Sequence, residues 1–185
     1  MDEEQKTDKE ASVAADASTV NPEIGGDDAK LLEKYERTFI GSFSHSLDAK
    51  GRIIVPVCYR KELGDTFYVG PTFDFKAIAL YPNLVWAQIR DGYAKLGRLN
   101  RALNAYTEQF DALSYRGQEC DAQGRVLLPV KIRQLILKDE KDVEITGAQD
   151  HVRIVGRVAS EDQTRAFLDS LPDILDVIGS LSGQV

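Results

Sequence analysis

An α+β domain in which two copies of one small unit share a single core is the fold class the sequence predicts, and three observations predict it. The phrase "DAKGRIIVP", Asp48 to Pro56, returns as "DAQGRVLLP", Asp121 to Pro129. Aligned through Leu63 and Ile136, the two segments agree at seven of sixteen positions: Asp, Ala, Gly, Arg, Pro, Val and the later Arg60/Arg133. Each phrase is flanked by short apolar runs suited to strands, and a long stripe of large apolar residues at helical spacing separates the copies. A unit this small cannot bury its own apolar face, so two of them must close one core between them.

Taken in chain order, residues 1–36 carry 11 acidic and 4 basic residues and few large apolar ones, which predicts a disordered acidic extension. It ends in a short helix at "AKLLEKYER", and reads either as a solubilising leader or as an arm that competes with phosphate for the basic surface. The first repeat, residues 37–82, enters through "SFSHSL" and turns at Asp-Ala-Lys-Gly. Asp in the first turn position can accept a hydrogen bond from the backbone two residues on, and Gly in the fourth tolerates positive φ. The exits Ile53-Ile54-Val55 and Val126-Leu127-Leu128 read as short buried strands. Pro56 and Pro129 then suit the first turn of a helix, where the missing N–H costs nothing, so "PVCYRKEL" and "PVKIRQLI" are predicted helices. Two strands close each unit, "FYVG" matching "EITG" and "DFKAIALYP" matching "DHVRIVGRV".

A helix follows each copy, with Asn83 and Ser160 expected as N-caps. Residues 83–113 form a helical connector whose stripe of Trp86, Ile89, Tyr93, Leu96, Leu99, Leu103, Tyr106, Phe110 and Leu113 is expected to be core. Gly97 and Asn100 predict a kink or hairpin within it. Arg90, Lys95, Arg98 and Arg101 there form a solvated helical face or a nucleic-acid contact. The second repeat occupies residues 114–159, and residues 160–185 end in a further short amphipathic helix after Pro172.

Several function classes find little support. Cys58 and Cys120 have neither Cys-x-x-Cys nor His-partner spacing and are expected to be reduced, buried packing residues. His45 and His151 lack a ligand-type or triad-type neighbourhood, and no Gly-rich loop precedes a helix, so neither an enzyme nor a bound cofactor is expected. The start of the chain is acidic and no run of 18 apolar residues occurs, which predicts a soluble, intracellular protein away from the membrane. The net charge of −7 belongs to the extension; the remaining residues carry 19 basic and 19 acidic side chains, so binding depends on where the basic ones gather.

Turn chemistry accounts for Asp, Gly and Pro in the repeated phrase but not for Arg. Arg52 and Arg125 recur just past each turn, with Lys50 and Gln123 two positions earlier. A planar guanidinium fork suits phosphate or the guanine edge. It equally suits an ion pair with Asp48 or with an acid of the facing copy, and local chemistry leaves both open.

"GSFSHSLDAKGRIIVPVCYRKELG" followed by "ECDAQGRVLLPVKIRQL" resembles the MraZ family of bacterial transcriptional regulators, related to AbrB-type swapped-hairpin DNA-binding proteins, over about residues 38–170. The resemblance implies two βαβ-type repeats interleaved into one AbrB-like swapped-hairpin β-barrel, and assembly of subunits into a ring-shaped homo-oligomer. It also implies binding to short direct repeats in double-stranded promoter DNA upstream of the cell-division and cell-wall gene cluster, and with it a cytoplasmic, nucleoid-associated location. Carried over by position, the DNA-binding residues are Lys50, Gly51 and Arg52 with Gln123, Gly124 and Arg125, while Asp48 and Asp121 form the turns. Tyr81, Pro82 and Trp86, which also fit the family pattern, read as packing. The alternative is a ring-forming structural or protein-interaction module, for which the apolar helical stripe supplies an interface.

Overall fold

Antiparallel pairing between the two copies organises the chain. The computed structural model describes residues 38–96 and 100–182. The expected acidic extension, the "AKLLEKYER" helix and residues Gly97, Arg98 and Leu99 lie outside the described residues. The elements are β1 (Ser42–Ser46), β2 (Arg52–Ile54), α1 (Val57–Leu63), β3 (Phe67–Pro71), β4 (Ile78–Pro82), α2 (Asn83–Lys95), α3 (Arg101–Ala112), β5 (Tyr115–Gln118), β6 (Arg125–Leu127), α4 (Val130–Ile136), β7 (Asp142–Ala148), β8 (His151–Gly156) and α5 (Arg157–Ser182).

Six strands form one sheet in the order β1-β7-β8-β4-β3-β5, and β2 pairs with β6 as a separate two-stranded ribbon. The first strand of each copy therefore lies against the third strand of the other, β1 on β7 and β5 on β3. Within the ribbon, Arg52 faces Leu127, Ile53 faces Val126 and Ile54 faces Arg125. The strand ladder stays open, with β1 and β5 as its edges, and does not close into the barrel that the resemblance implies. Pairing of β5 is irregular, its register shifting between Phe67 and Val69, and such a bulge bends an edge strand out of the ladder.

One core serves both copies. Ile53, Val55, Tyr59, Phe67 and Val69 of the first pack with Val126, Leu128, Ile132, Val143 and Ile145 of the second. Strand alternation sends Ile78 and Leu80 of β4 into this core and Ala79 and Tyr81 to the opposite face. There α2 and α3 cover them with Trp86 and Phe110, both buried. Asn100 accepts from the Leu103 amide at 3.0 Å and so caps α3; the connector is two helices. Arg90 pairs with Asp111 at 2.7 Å and Lys95 with Asp91 at 2.6 Å, so both cations are engaged within the helical pair. Leu96, expected in the stripe, is 66% exposed, because it lies just past the end of α2.

Four further expectations are corrected. Asn83 is the first residue of α2 and its side chain makes no cap; its amide donates instead to the Thr66 carbonyl at 3.0 Å, tying the helix to the start of β3. The last helix begins at Arg157, three residues before Ser160, because the Glu140 carboxylate accepts from the Val158 amide at 2.8 Å and supplies the cap from outside. That helix runs unbroken through Pro172 to Ser182. A proline at 172 cannot donate to the Leu168 carbonyl and crowds it with its ring, and the helix carries this in an exposed stretch, with Leu168 58% and Leu175 55% exposed. Cys58 is exposed rather than buried, since α1 turns Tyr59 and Leu63 inward and leaves Cys58 on its outer side; Cys120 is half-buried against the core.

Candidate nucleic-acid interface

Each repeated phrase folds into the same hydrogen-bonded turn. Gly51 donates to the Asp48 carbonyl at 2.9 Å and Gly124 to the Asp121 carbonyl at 2.7 Å. Oδ1 of Asp48 accepts from the amides of Lys50 (2.8 Å) and Arg52 (2.9 Å), and Oδ1 of Asp121 from those of Gln123 (3.0 Å) and Arg125 (2.9 Å). One carboxylate oxygen thus closes the turn twice over. The other oxygen takes the arginine: Arg52 Nε reaches Asp48 Oδ2 at 2.7 Å, and Arg125 Nε reaches Asp121 Oδ2 at 2.8 Å. Arg52 also lies 3.7 Å from Asp121, so the two tips share charge across the copies. Between the two roles left open for Arg, the intramolecular ion pair is the one realised here, with roughly a quarter of each side chain still exposed (27% for both).

The glycines are required twice. Gly51 and Gly124 sit at φ 78° and 75°, where any side chain is strained. In addition, a Cβ at Gly51 would overlap the guanidinium of Arg133, and one at Gly124 would overlap that of Arg60. Both glycines are buried although they occupy exposed turns, because an arginine of the opposite copy covers each. The backbone repeats this exchange: Val55 donates to the Gly124 carbonyl at 2.9 Å and Leu128 to the Gly51 carbonyl at 3.1 Å. Arg60 and Arg133 were visible in the sequence only as matched positions of the repeat, and nothing local pointed them at the opposite turn.

The ribbon that carries the turns is amphipathic. Ile53 and Val126 are buried, whereas Ile54 (46%) and Leu127 (51%) are exposed beside Arg52 and Arg125 on the outer side. The expected fully buried exit strands are therefore half-buried ones, since the ribbon covers the core with one face only. Lys50 and Gln123 are exposed at the turn apices. All six expected contact residues thus come together at one ribbon, with Arg60 and Arg133 added to them.

Charge at the turns is pH-sensitive in a defined direction. The Arg52 amide, joined by the Arg52 guanidinium and the Lys50 amide and opposed by partial burial, holds the Asp48 carboxyl down to about 2. At Asp121 the Arg125 side chain leads, with its amide and that of Gln123, and the carboxyl is again held at about 2. A carboxyl depressed in the folded state contributes stability that is full above its unfolded value, about 3.9, and is lost as the pH falls through its folded value. Denaturant titrations should therefore show the parent losing stability from about pH 4 down to about pH 2, and the Asp48→Asn/Asp121→Asn variant losing less over that window. Parallel curves for the two proteins would contradict this account of the turns.

An α+β protein in which two matching Asp-x-x-Gly-Arg turns lie on one paired, arginine-bearing β-ribbon is the class that this fold and site define. The particular family follows from comparison with known proteins. The family described as "MraZ protein, putative antitoxin-like" matches residues 38–107. The chain is 35% identical over 140 residues to the transcriptional regulator MraZ of Lactiplantibacillus plantarum, covering 74% of this chain and 97% of that protein. It is 35% identical over 116 residues to that of Carboxydothermus hydrogenoformans (63% and 79%) and 38% identical over 117 residues to that of Natranaerobius thermophilus (63% and 79%). The chain belongs to the MraZ family.

Proposed function

We propose that the protein is a sequence-specific DNA-binding transcriptional regulator. In this reading the two Asp-x-x-Gly-Arg turns, carried on a ring-shaped oligomer, engage short direct repeats upstream of the cell-division and cell-wall gene cluster. The observation that carries the reading is the ribbon itself. A two-stranded β-ribbon is one of the elements a major groove admits, and this one offers guanidinium groups beside exposed aliphatic side chains. Arginine suits guanine and phosphate, and an aliphatic group suits the thymine methyl. Relatives bearing the name transcriptional regulator MraZ support the same class. A ring would compensate for the charge balance of the chain, because several weak contacts on matched repeats act together.

Binding is tested on a duplex spanning the DNA directly upstream of the gene, against a scrambled duplex of the same composition. The parent should prefer the natural duplex and lose affinity steeply with salt. Arg52→Ala should cost about 1–3 kcal/mol if Arg52 makes a bidentate base contact. Arg125→Ala should cost less, because its turn carries neutral Gln123 where the first carries Lys50. Undiminished binding by Arg52→Ala would remove the first turn from the reading surface.

A second reading, an assembly module without sequence preference, is favoured by the C-terminal helix. Phe167, Leu168, Leu175, Val177 and Leu181 of α5 are each more than half exposed, a surface suited to self-association. Intact oligomers with no preference for the natural duplex would select this reading. No helix among the described residues is long and apolar enough to cross a membrane.

A further inference from the structure

We infer that Arg133 and Arg60 are DNA-contacting residues, each serving the turn of the copy to which it does not belong, so that either contact tip is a composite of both repeats. The inference rests on reading the ribbon as a DNA surface and concerns which side chains supply its free charge. Arg52 and Arg125 direct Nε at their own turn's carboxylate, and both also have an Nη within ion-pair distance of Asp121. Their positive charge is largely balanced within the protein. Arg133 and Arg60 have no carboxylate partner among the described residues. Arg60 is steadied through Nε, which donates to the Val55 carbonyl at 2.8 Å, leaving its Nη groups for another acceptor.

Position makes these two cations part of the tips. Arg133 lies across Gly51, between Lys50 and Arg52 in the chain, and Arg60 lies across Gly124, between Gln123 and Arg125. The absence of a side chain at both glycines leaves room for the guanidinium of the opposite copy's arginine over the turn. Each arginine is half-buried, so its stem is ordered before any ligand arrives, which lowers the entropic cost of contact. A merely structural role is available, since Arg60 and Arg133 stand in the last turns of α1 and α4, where a cation complements the helix dipole. Such a role would stabilise the fold but would not set the salt dependence of DNA binding.

The test measures affinity for the natural and scrambled duplexes from 50 to 200 mM salt, for the parent and for Arg133→Gln, Arg60→Gln, Arg133→Lys and Arg60→Lys. Gln keeps a stem over the glycine and removes the charge; Lys keeps both stem and charge. Each Gln variant should lower the slope of log affinity against log salt by about one, so that affinity falls about threefold to fourfold less across the range than in the parent. Each Lys variant should keep the parent's slope. Thermal melts followed in parallel separate folding from contact, and a slope change in a protein that melts with the parent cannot come from the helix dipole. Parent-like slopes for the Gln variants, with the parent bound to DNA, would overturn this inference and leave the DNA reading standing. A parent that binds neither duplex would overturn the DNA reading itself, whatever the variants do.

Discussion

Replacing Asp48 with Ala is expected to weaken binding to the upstream duplex by roughly tenfold or more, the scale of one good bidentate contact, although it deletes a negative charge from a DNA-facing surface. Simple electrostatics predicts the opposite sign. The reason lies in what Asp48 holds: the amides of Lys50 and Arg52, and the Arg52 guanidinium through Nε. Without it the turn keeps only its backbone bonds, from Gly51 to the Asp48 carbonyl and from Asp48 to the Arg52 carbonyl, and Arg52 loses the partner that fixes its orientation. A guanidinium contributes to recognition when it is held in the right geometry before contact, and a free one must be ordered at the moment of binding. Asp48→Asn separates the two jobs, because its amide oxygen can still close the turn while the ion pair is gone; it should fall between parent and Ala. Binding measured by fluorescence anisotropy decides the matter. Tighter binding by Asp48→Ala would mean that the turn acts through net charge alone.

Phe110→Ala is expected to cost about 3–5 kcal/mol of folding stability, the range for emptying a large aromatic from a closed core. Phe110 is fully buried and is ringed by Phe73, Phe75, Trp86, Tyr93 and Tyr106, with ring centroids 5.5 to 6.2 Å away. Trp86 in turn stacks on Tyr68 of β3 at 4.5 Å, so loss of Phe110 loosens the grip of both α2 and α3 on the sheet. The chain contains a single tryptophan, and its fluorescence therefore reports directly on this cluster during denaturant unfolding. Because the cluster packs on the face of β3 and β4 opposite the shared core, DNA affinity per folded molecule should change little. A loss below about 1 kcal/mol would mean that the connector folds without this aromatic packing.

Much of the fold was legible because its signals are local or periodic. The turns were readable from Asp and Gly, whose hydrogen bonds span four residues. The α1 and α4 helices were readable from the prolines that precede them, and the connector helices from a stripe that Trp86, Phe110 and Leu113 bury as expected. Where the reading missed, the deciding partner was distant in the chain. Ser160 and Asn83 have the chemistry of caps, but Glu140 caps the last helix from outside and the Asn83 side chain is drawn away to the Thr66 carbonyl. Ile54 and Leu127 look like core in an apolar run, and only the pairing of β2 with β6 as a one-sided ribbon exposes them.

The sequence by itself determined that one nine-residue phrase is written twice and that each copy of it contains an Asp-to-Gly turn followed by Arg. Tertiary structure alone decided how the copies complete one another. It put β1 on β7 and β5 on β3, brought Arg52 within 3.7 Å of Asp121 of the other copy, and laid Arg133 over Gly51 and Arg60 over Gly124. The physical reason is range. A turn is set by hydrogen bonds between near neighbours, which residue identity reveals, whereas the charge a turn presents depends on side chains that only the interleaved topology brings to it.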